Sequence, residues 1–317
     1  GGNWEGKTIL NRLHATGMPS AEDEAVLASC RARLFEARRK RVPPGRDDKV
    51  LADWNGLAIQ GLVAAAVRCD EPRWLELAQD VFGRIVTHLG DGEGLVHSWR
   101  DGRRLPLAFL DDYAQMSRAA LALFEATGAT SYLDRARAWL ERIEADFADR
   151  DGGACFLAPA GDTGLILRPK NAHDGPTPAA NGTLAQVLIA LHQLTGESRY
   201  AERAEAILAT FATEARRNPF AHATLLDARA MVDALVQVVL VGTPVAPGYA
   251  ELRHTALTSP RPYRLTLTVA DGATLPTGHP AHGKSLVDGR AAAYVCTANA
   301  CRPPVTSGPE LERALAA

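Results

Sequence analysis

Apolar positions along this chain recur with helical periods, and three stretches share one pattern: Asn55 to Val86, Asp112 to Phe147 and Asn181 to Ala215. Each begins with a polar residue at the start of an apolar helix, and an aromatic residue then opens a second helix. The spacing is 19 from Asn55 to Trp74, 20 from Asp112 to Tyr132 and 19 from Asn181 to Tyr200. Repetition at near-constant spacing predicts helical hairpins. The first helix of each, as in LAIQGLVAAAV or TLAQVLIALHQL, is apolar almost all round and so needs burial on most sides. The second is amphipathic: in the middle hairpin Arg135, Arg137, Glu141, Arg142 and Glu144 stand outside the apolar positions. An inner and an outer helical layer follow, which predicts a mainly α chain folded as an α/α toroid with one functional mouth. An open solenoid of stacked hairpins is the alternative.

Local signals mark the remaining elements. Ser20 offers an N-cap, with Asp23 three positions on, for an outer helix running to about Lys40, and Pro43, Pro44 and Gly45 end it. Helices are predicted near 22–40, 51–68, 73–89, 110–126, 131–147, 178–195, 198–216 and 221–237. These are about eight helices where a closed six-hairpin ring has twelve, so an incomplete toroid is expected, with inner helices starting near 51, 110, 178 and 221 at one end of the layer. Asp101-Gly102 is a hairpin-turn dipeptide between strand-like segments, and the loop from Arg150 to Arg168 looks similar. From about Val238 the period changes: VVLVG, YRLTLTV and AAAYVC are short β-rich runs, separated by a helical segment from Tyr249 to Thr258 and followed by a last helix from Pro309. That order predicts a small α/β appendage, giving a partial toroid over 1–237 and an α/β part over 238–317.

Composition narrows the class. The 317 residues are 46% hydrophobic and 23% charged with net charge −2, which gives no basis for a nucleic-acid partner; the Arg38 to Arg41 run reads as the solvated end of a helix. The longest apolar runs, such as Leu57 to Val67, fall short of the roughly 18 residues that span a bilayer, so no membrane segment is expected. Five cysteines, an odd count with no CxxC, fit free thiols in a reducing, cytoplasmic compartment. The chain opens on Gly1 in a loop-like stretch, so further sequence is expected upstream, and the absence of a signal peptide carries no information.

If the inner helices start at one mouth, they gather polar groups there. The first brings Asp47, Asp48, Lys49, Asp53, Trp54 and Asn55; the second, Asp111, Asp112 and Tyr113; the third, His173, Asp174 and Asn181, with Arg168 and Lys170 on the preceding loop. Paired carboxylates beside aromatic rings suit a sugar, since carboxylates serve as general acid and base and ring faces stack on a pyranose. Helix N-termini also favour anionic groups. Each residue has a plainer role open to it: Asp111, Asp112 and Asn181 as caps, Asp47 or Asp48 paired with Arg46 or Lys49, Trp54 as core, His173 as a loop histidine. His279, His282, Cys296 and Cys301 match no standard zinc spacing, and VGTP has no GxGxxG or P-loop continuation, so neither metal nor cofactor is expected.

Five ordered motifs carry a resemblance: GGNWEGKTIL, RDDKVLADWNGLAI, FLDDYAQM, RPK with HDGPTPAANG, and AAAYVCTANACRPPVT. Together they resemble the C-terminal part of the spermatogenesis-associated thioredoxin-like protein family, from residue 2 to the last helix. The resemblance implies an upstream thioredoxin-like domain, a six-hairpin toroid similar to glycosidases and N-acylglucosamine 2-epimerases, and a small α/β tail. Where the family has a serine and a glycine in the loop before the third inner helix, this chain has Ala179 and Ala180, which removes a hydroxyl from that loop.

The function these residues predict is that of a carbohydrate-active domain of glycosidase or epimerase type, acting on a small sugar-like ligand. Asp48 and Asp112 form the expected acid/base pair, with Asp174 and His173 secondary. Trp54, Tyr113, Arg168 and Asn181, supported by Asp47, Lys49, Asn55 and Asp111, would position substrate. The alternative is a non-catalytic toroid that binds a ligand or partner and serves the thioredoxin-like domain.

Overall fold

Ser20 begins the first helix, its hydroxyl accepting the Asp23 N–H at 3.1 Å, and α1 runs from Ala21 to Arg39. The computed structural model describes every residue except Thr16, Glu93, Thr163, Thr274, Ala298, Asn299 and Ala317. It divides into two compact units, Gly1–Asp48 and Lys49–Ala317. Helix α1, expected as an outer helix over about 22–40, belongs to the first unit and buries none of its residues.

The second unit holds the repeat. Its inner helices are α2 (Ala52–Cys69), α4 (Leu110–Thr127), α6 (Ala180–Thr195) and α8 (Ala223–Ala234), and its outer helices are α3 (Pro72–Leu89), α5 (Thr130–Asp146) and α7 (Ser198–Arg217). Each inner helix packs on its own outer partner where one follows and on the next inner helix, in the order α2, α4, α6, α8. Helices α4 and α6, with an inner neighbour on each side, bury 13 residues apiece; α2 and α8, with one such neighbour in this unit, bury 6 and 2. This is the layered hairpin arrangement of an α/α toroid. Inner helices end at the left-handed residues Asp70, Gly128 and Gly196, and the outer helices begin two residues later. The marker aromatics Trp74, Tyr132 and Tyr200 all fall at the third position of their outer helix.

Inner helices touch at their starts, all at one end of the layer, and a repeated Asn-Gly-x-x-x-Gln string explains how. In Asn55-Gly56 the glycine lies against α4, where a Cβ would stand 2.8 Å from the Gln115 carbonyl carbon; in Asn181-Gly182 a Cβ would stand 2.9 Å from Thr224 Cγ2 on α8. Only glycine allows backbones so close. Four residues on, Gln60 Nε2 donates to the Gln115 carbonyl (3.1 Å) and Gln186 Nε2 to the Thr224 carbonyl (3.2 Å). Gln115 Nε2 continues the chain to Thr183 Oγ1 on α6 (3.1 Å). Amide side chains thus stitch the four inner helices in series.

β1 (Val50–Leu51) immediately precedes α2, and between α3 and α4 a β excursion carries β2 (Gly90–Asp91), β3 (Gly94–Leu95), β4 (Ser98–Arg100) and β5 (Arg103–Leu105), with β4 and β5 joined at Asp101-Gly102 as expected. Val50 pairs with Trp99 and Leu51 with Ser98, which lays this segment beside the start of α2. In the 150–168 loop the hairpin-like pairing reduces to one bridge, Ala148 with Cys155, among the described residues.

After α8 the helical hairpins give way to strands inside the second unit. β6 (Val236–Val241) is central and fully buried, parallel to β7 (Arg264–Val269) and antiparallel to β8 (Ala292–Thr297), which pairs with β9 (Ala300–Cys301); α9 (Tyr249–Thr258) and α10 (Gly308–Ala316) complete this part. The β8–β9 register sets Cys296 opposite Cys301, and they form a disulfide, so the expectation of five free thiols is corrected: Cys30, Cys69 and Cys155 are free. Among the described residues no helix is long and apolar enough to cross a membrane.

Candidate active site

The first turns of α2 and α4 bring four ionisable groups together. Asp53 is the second residue of α2, and Asp111 and Asp112 are the second and third of α4. Carboxylates there face the positive ends of two helices. The fourth group, His97, comes from the β excursion: its carbonyl accepts the Ala52 N–H (3.0 Å) and its own N–H donates to the Leu107 carbonyl (3.3 Å), which pins it across the start of α2.

Asp112 is the brace of this group. Fully buried, its carboxyl accepts the Phe109 N–H (2.8 Å), the N3-to-N-cap bond that starts α4, and the Asp53 N–H (3.2 Å), which ties α2 to α4. His97 Nδ1 lies 3.0 and 3.1 Å from its two oxygens. That contact leaves Nε2 as the reactive nitrogen of His97. The hydrogen bond to Asp112, and then the charges of Asp112, Asp53 and Asp111, raise the imidazole pKa; burial pushes the Asp112 carboxyl up despite its partners.

Asp53 and Asp111 keep freer oxygens. Asp53 Oδ1 accepts the Trp54 N–H (2.8 Å), and burial lifts its pKa. Asp111 is half-buried, and burial, reinforced by the charges of Asp112 and Asp53, pushes it to about 6. A carboxyl at that value is protonated for part of the time near neutrality, as a general acid requires. Trp54 stands at the same start with 58% of its surface exposed, an open aromatic face. Asn55 Nδ2 donates to the Leu51 carbonyl (2.7 Å) and secures the first turn of α2.

Asp53, His97 and Asp112 each offer one ligand atom, all within 4.8 Å of one another, as a divalent cation would need. Both Asp112 oxygens already accept backbone N–H groups and His97. A cation would have to displace the imidazole.

Several predicted site residues serve the scaffold instead. Tyr113 is buried, its hydroxyl accepting the Leu95 N–H (3.0 Å) and its ring edge-on to Phe147, so it offers no face to a ligand. Asn181 is wholly buried and clamps the preceding loop through the Cys155 N–H (3.0 Å) and the carbonyls of Cys155 and Asn171 (both 2.9 Å). Arg168 spends its guanidinium on the carbonyls of Asp146 and Ala158 while lying 4.2 Å over the Phe156 ring. Asp174 joins the starts of α6 and α8 by accepting the Ala179 and Thr224 N–H groups (2.8 and 2.9 Å). Burial pushes its carboxyl up, but those bonds outweigh it and hold the pKa below the usual range, unsuited to an acid. His173 is exposed, its ring edge-on to His222 at 5.9 Å. Asp47 and Asp48 are exposed at the end of the first unit and Lys49 is exposed at the start of the second.

Sequence reading missed His97 altogether and left Asp53 without a role. Its one signal was a lone histidine inside the strand-like LVHSW segment, where no helix start marks it.

No family model matches this chain. It is similar to spermatogenesis-associated protein 20 of Homo sapiens, 28% identical over 99% of this chain and 43% of that protein, and of Rattus norvegicus, 30% identical over 97% and 41%. The chain therefore spans about two fifths of the length of these relatives. Among solved structures it overlaps a GH76 α-mannanase of Bacteroides thetaiotaomicron (TM-score 0.48, 17% identity, 60% of this chain and 52% of that one) and a cellobiose 2-epimerase of Spirochaeta thermophila (TM-score 0.45, 21% identity, 52% and 43%).

Proposed function

We propose that the start of α2 and α4 is the active site of a carbohydrate-active domain that processes a sugar or glycoside by acid/base chemistry. The observation that supports this reading is two titratable groups close enough to feel each other's charge at one pair of helix starts: Asp111, raised to about 6, and His97, oriented by the buried Asp112. Asp111 supplies the proton that the leaving glycosidic oxygen takes up as the C1–O bond breaks. His97 Nε2, with Asp53 beside it, removes the proton of the water that forms the new bond to C1. Trp54 receives the apolar face of the ring. Asp112, the best acid/base residue by sequence, becomes in this reading the positioning residue that fixes the tautomer of His97.

His97 also supports a second reading, epimerisation, in which Nε2 takes the proton beside a carbonyl and returns one to the other face. Assaying the protein on aryl glycosides and on free reducing sugars in D2O separates the two: hydrolysis releases a reducing end, whereas epimerisation places deuterium at C2. Loss of either activity in Asp111→Asn and His97→Asn supports the site. A folded wild-type protein that does neither, yet binds sugar, would make this a non-catalytic toroid serving another part of the whole protein. An upstream thioredoxin-like domain and a cytoplasmic setting belong to the same proposal, tested by the upstream coding sequence and by cell fractionation.

A further inference from the structure

The face of α4 that begins with Asp111 continues through Gln115, Arg118, Ala122 and Glu125, at helical spacing. Ala122 and Glu125 line a cavity of about 200 Å³ between α2 and α4, where Glu125 pairs with Arg264 of β7 at 2.9 Å. Arg118 stands between this cavity and the mouth. It is half-buried and, among the described residues, makes no hydrogen bond and no ion pair, whereas Arg168, Arg203 and Arg264 are all engaged. Burial pulls its pKa down, opposed by the field of Asp227.

The burial pattern of α4 sets the side on which Arg118 lies: Asp111, Arg118, Ala122 and Glu125 are partly exposed at helical spacing while every residue between them is buried, so Arg118 belongs to the stripe that the neighbouring helices α2, α5 and α6 leave uncovered. Asp227 is itself committed: Oδ1 accepts the Tyr263 hydroxyl and Oδ2 the Gln186 amide, both at 2.8 Å. Tyr263 holds that contact from a left-handed backbone (φ 51), a conformation uncommon for an aromatic residue and retained where the surroundings require it. The five guanidinium N–H donors of Arg118 have no acceptor among the described residues. Seven residues separate Arg118 from Asp111, a rise of about 10 Å along the helix, enough to place one sugar ring between them.

We propose that Arg118 is a specificity residue of the mouth site, receiving an anionic substituent, carboxylate or phosphate, so that the substrate class is an acidic sugar. This rests on the acid/base reading above for the placement of the reacting end at Asp111.

The test is calorimetric binding of glucose, glucuronate, glucose 6-phosphate and inorganic phosphate to the whole chain, beside the activity assays. The wild type should bind the two acidic sugars about tenfold more tightly than glucose, as one charge-assisted contact allows. Arg118→Gln should abolish that preference, and Arg118→Lys should retain part of it as a point charge without the planar fork. Asp111→Asn should keep the preference while losing turnover. Equal affinity for glucose and the acidic sugars, or an unchanged preference in a folded Arg118→Gln, overturns the assignment; so does inorganic phosphate binding as tightly as glucose 6-phosphate. If Arg118→Gln does not fold, loss of the wild-type preference with rising salt supports the assignment and salt independence overturns it. Preference without any turnover would overturn the acid/base reading and leave an anionic-sugar site, and turnover of neutral sugars without preference would do the reverse.

Discussion

Replacing Asp112 by Asn keeps the shape of the side chain and removes one of two acceptor oxygens. In the native site those oxygens accept the Phe109 N–H at 2.8 Å, the Asp53 N–H at 3.2 Å and His97 Nδ1 at 3.0 Å, all at a residue with no exposed surface. Asparagine can serve one backbone N–H; the other then faces an NH2 group, a buried donor without an acceptor, at a cost of about 1–3 kcal/mol. The weakened contact with His97 adds about 1 kcal/mol. A loss of about 2–4 kcal/mol follows, or roughly 4–8 °C in Tm at about 2 °C per kcal/mol for a chain of this size. A pH signature accompanies it. His97 has a folded pKa above its reference of 6.5, so its contact contributes stability that is complete below about 6.5 and lost as pH rises through the folded value. In Asp112→Asn the cause of that raised pKa is gone, and this share of the pH dependence should flatten. Circular dichroism melts across pH 5 to about 8, with NMR titration of the His97 ring, measure both effects. A variant that melts within about 1 °C of the wild type and leaves the His97 titration in place would refute the role of Asp112 as brace.

Asp111→Asn should lower the rate by roughly 10²–10⁴-fold, and the wild-type kcat/KM should be bell-shaped in pH, because His97 must have lost its proton to act as base and Asp111 must keep its own to act as acid. The raised pKa of Asp111 makes the fold lose stability as pH rises from about 3.8 through about 6, so melts of Asp111→Asn should be less pH-dependent there than those of the wild type. Gly56→Ala and Gly182→Ala should each lower Tm: helix propensity alone would gain up to about 1 kcal/mol, but a Cβ within 3 Å of neighbouring backbone or side chain costs about 1–3 kcal/mol. A rise in Tm for both would show that the inner helices do not approach as closely as described. Adding Zn²⁺ or Mn²⁺ should leave Tm unchanged, since the Asp112 oxygens are occupied; a clear increase that Asp53→Asn removes would make the Asp53, His97 and Asp112 group a cation site.

The hairpin layer was legible in the chain because its cause is local. Helices apolar all round alternate with amphipathic ones, and this predicted inner starts near 51, 110, 178 and 221 against observed starts at 52, 110, 180 and 223. The change to strands near residue 238 and the turn at Asp101-Gly102 were equally local signals. What each polar residue does at those starts was decided by neighbours distant in sequence. Asp111 and Asp112 are adjacent in the chain, yet a helical turn aims them differently, so one keeps an open oxygen while the other saturates on Phe109, Asp53 and His97. His97 reaches them only because β4 pairs with β1 beside α2, and a pairing register leaves no mark on a lone histidine. Tyr113, Asn181, Arg168 and Asp174 have the residue types of a sugar site, but all four spend their polar atoms on backbone N–H or C=O groups of neighbouring segments. Periodicity determines which face of a helix is buried; whether a polar group on that face meets a ligand or a backbone depends on how near the next helix comes.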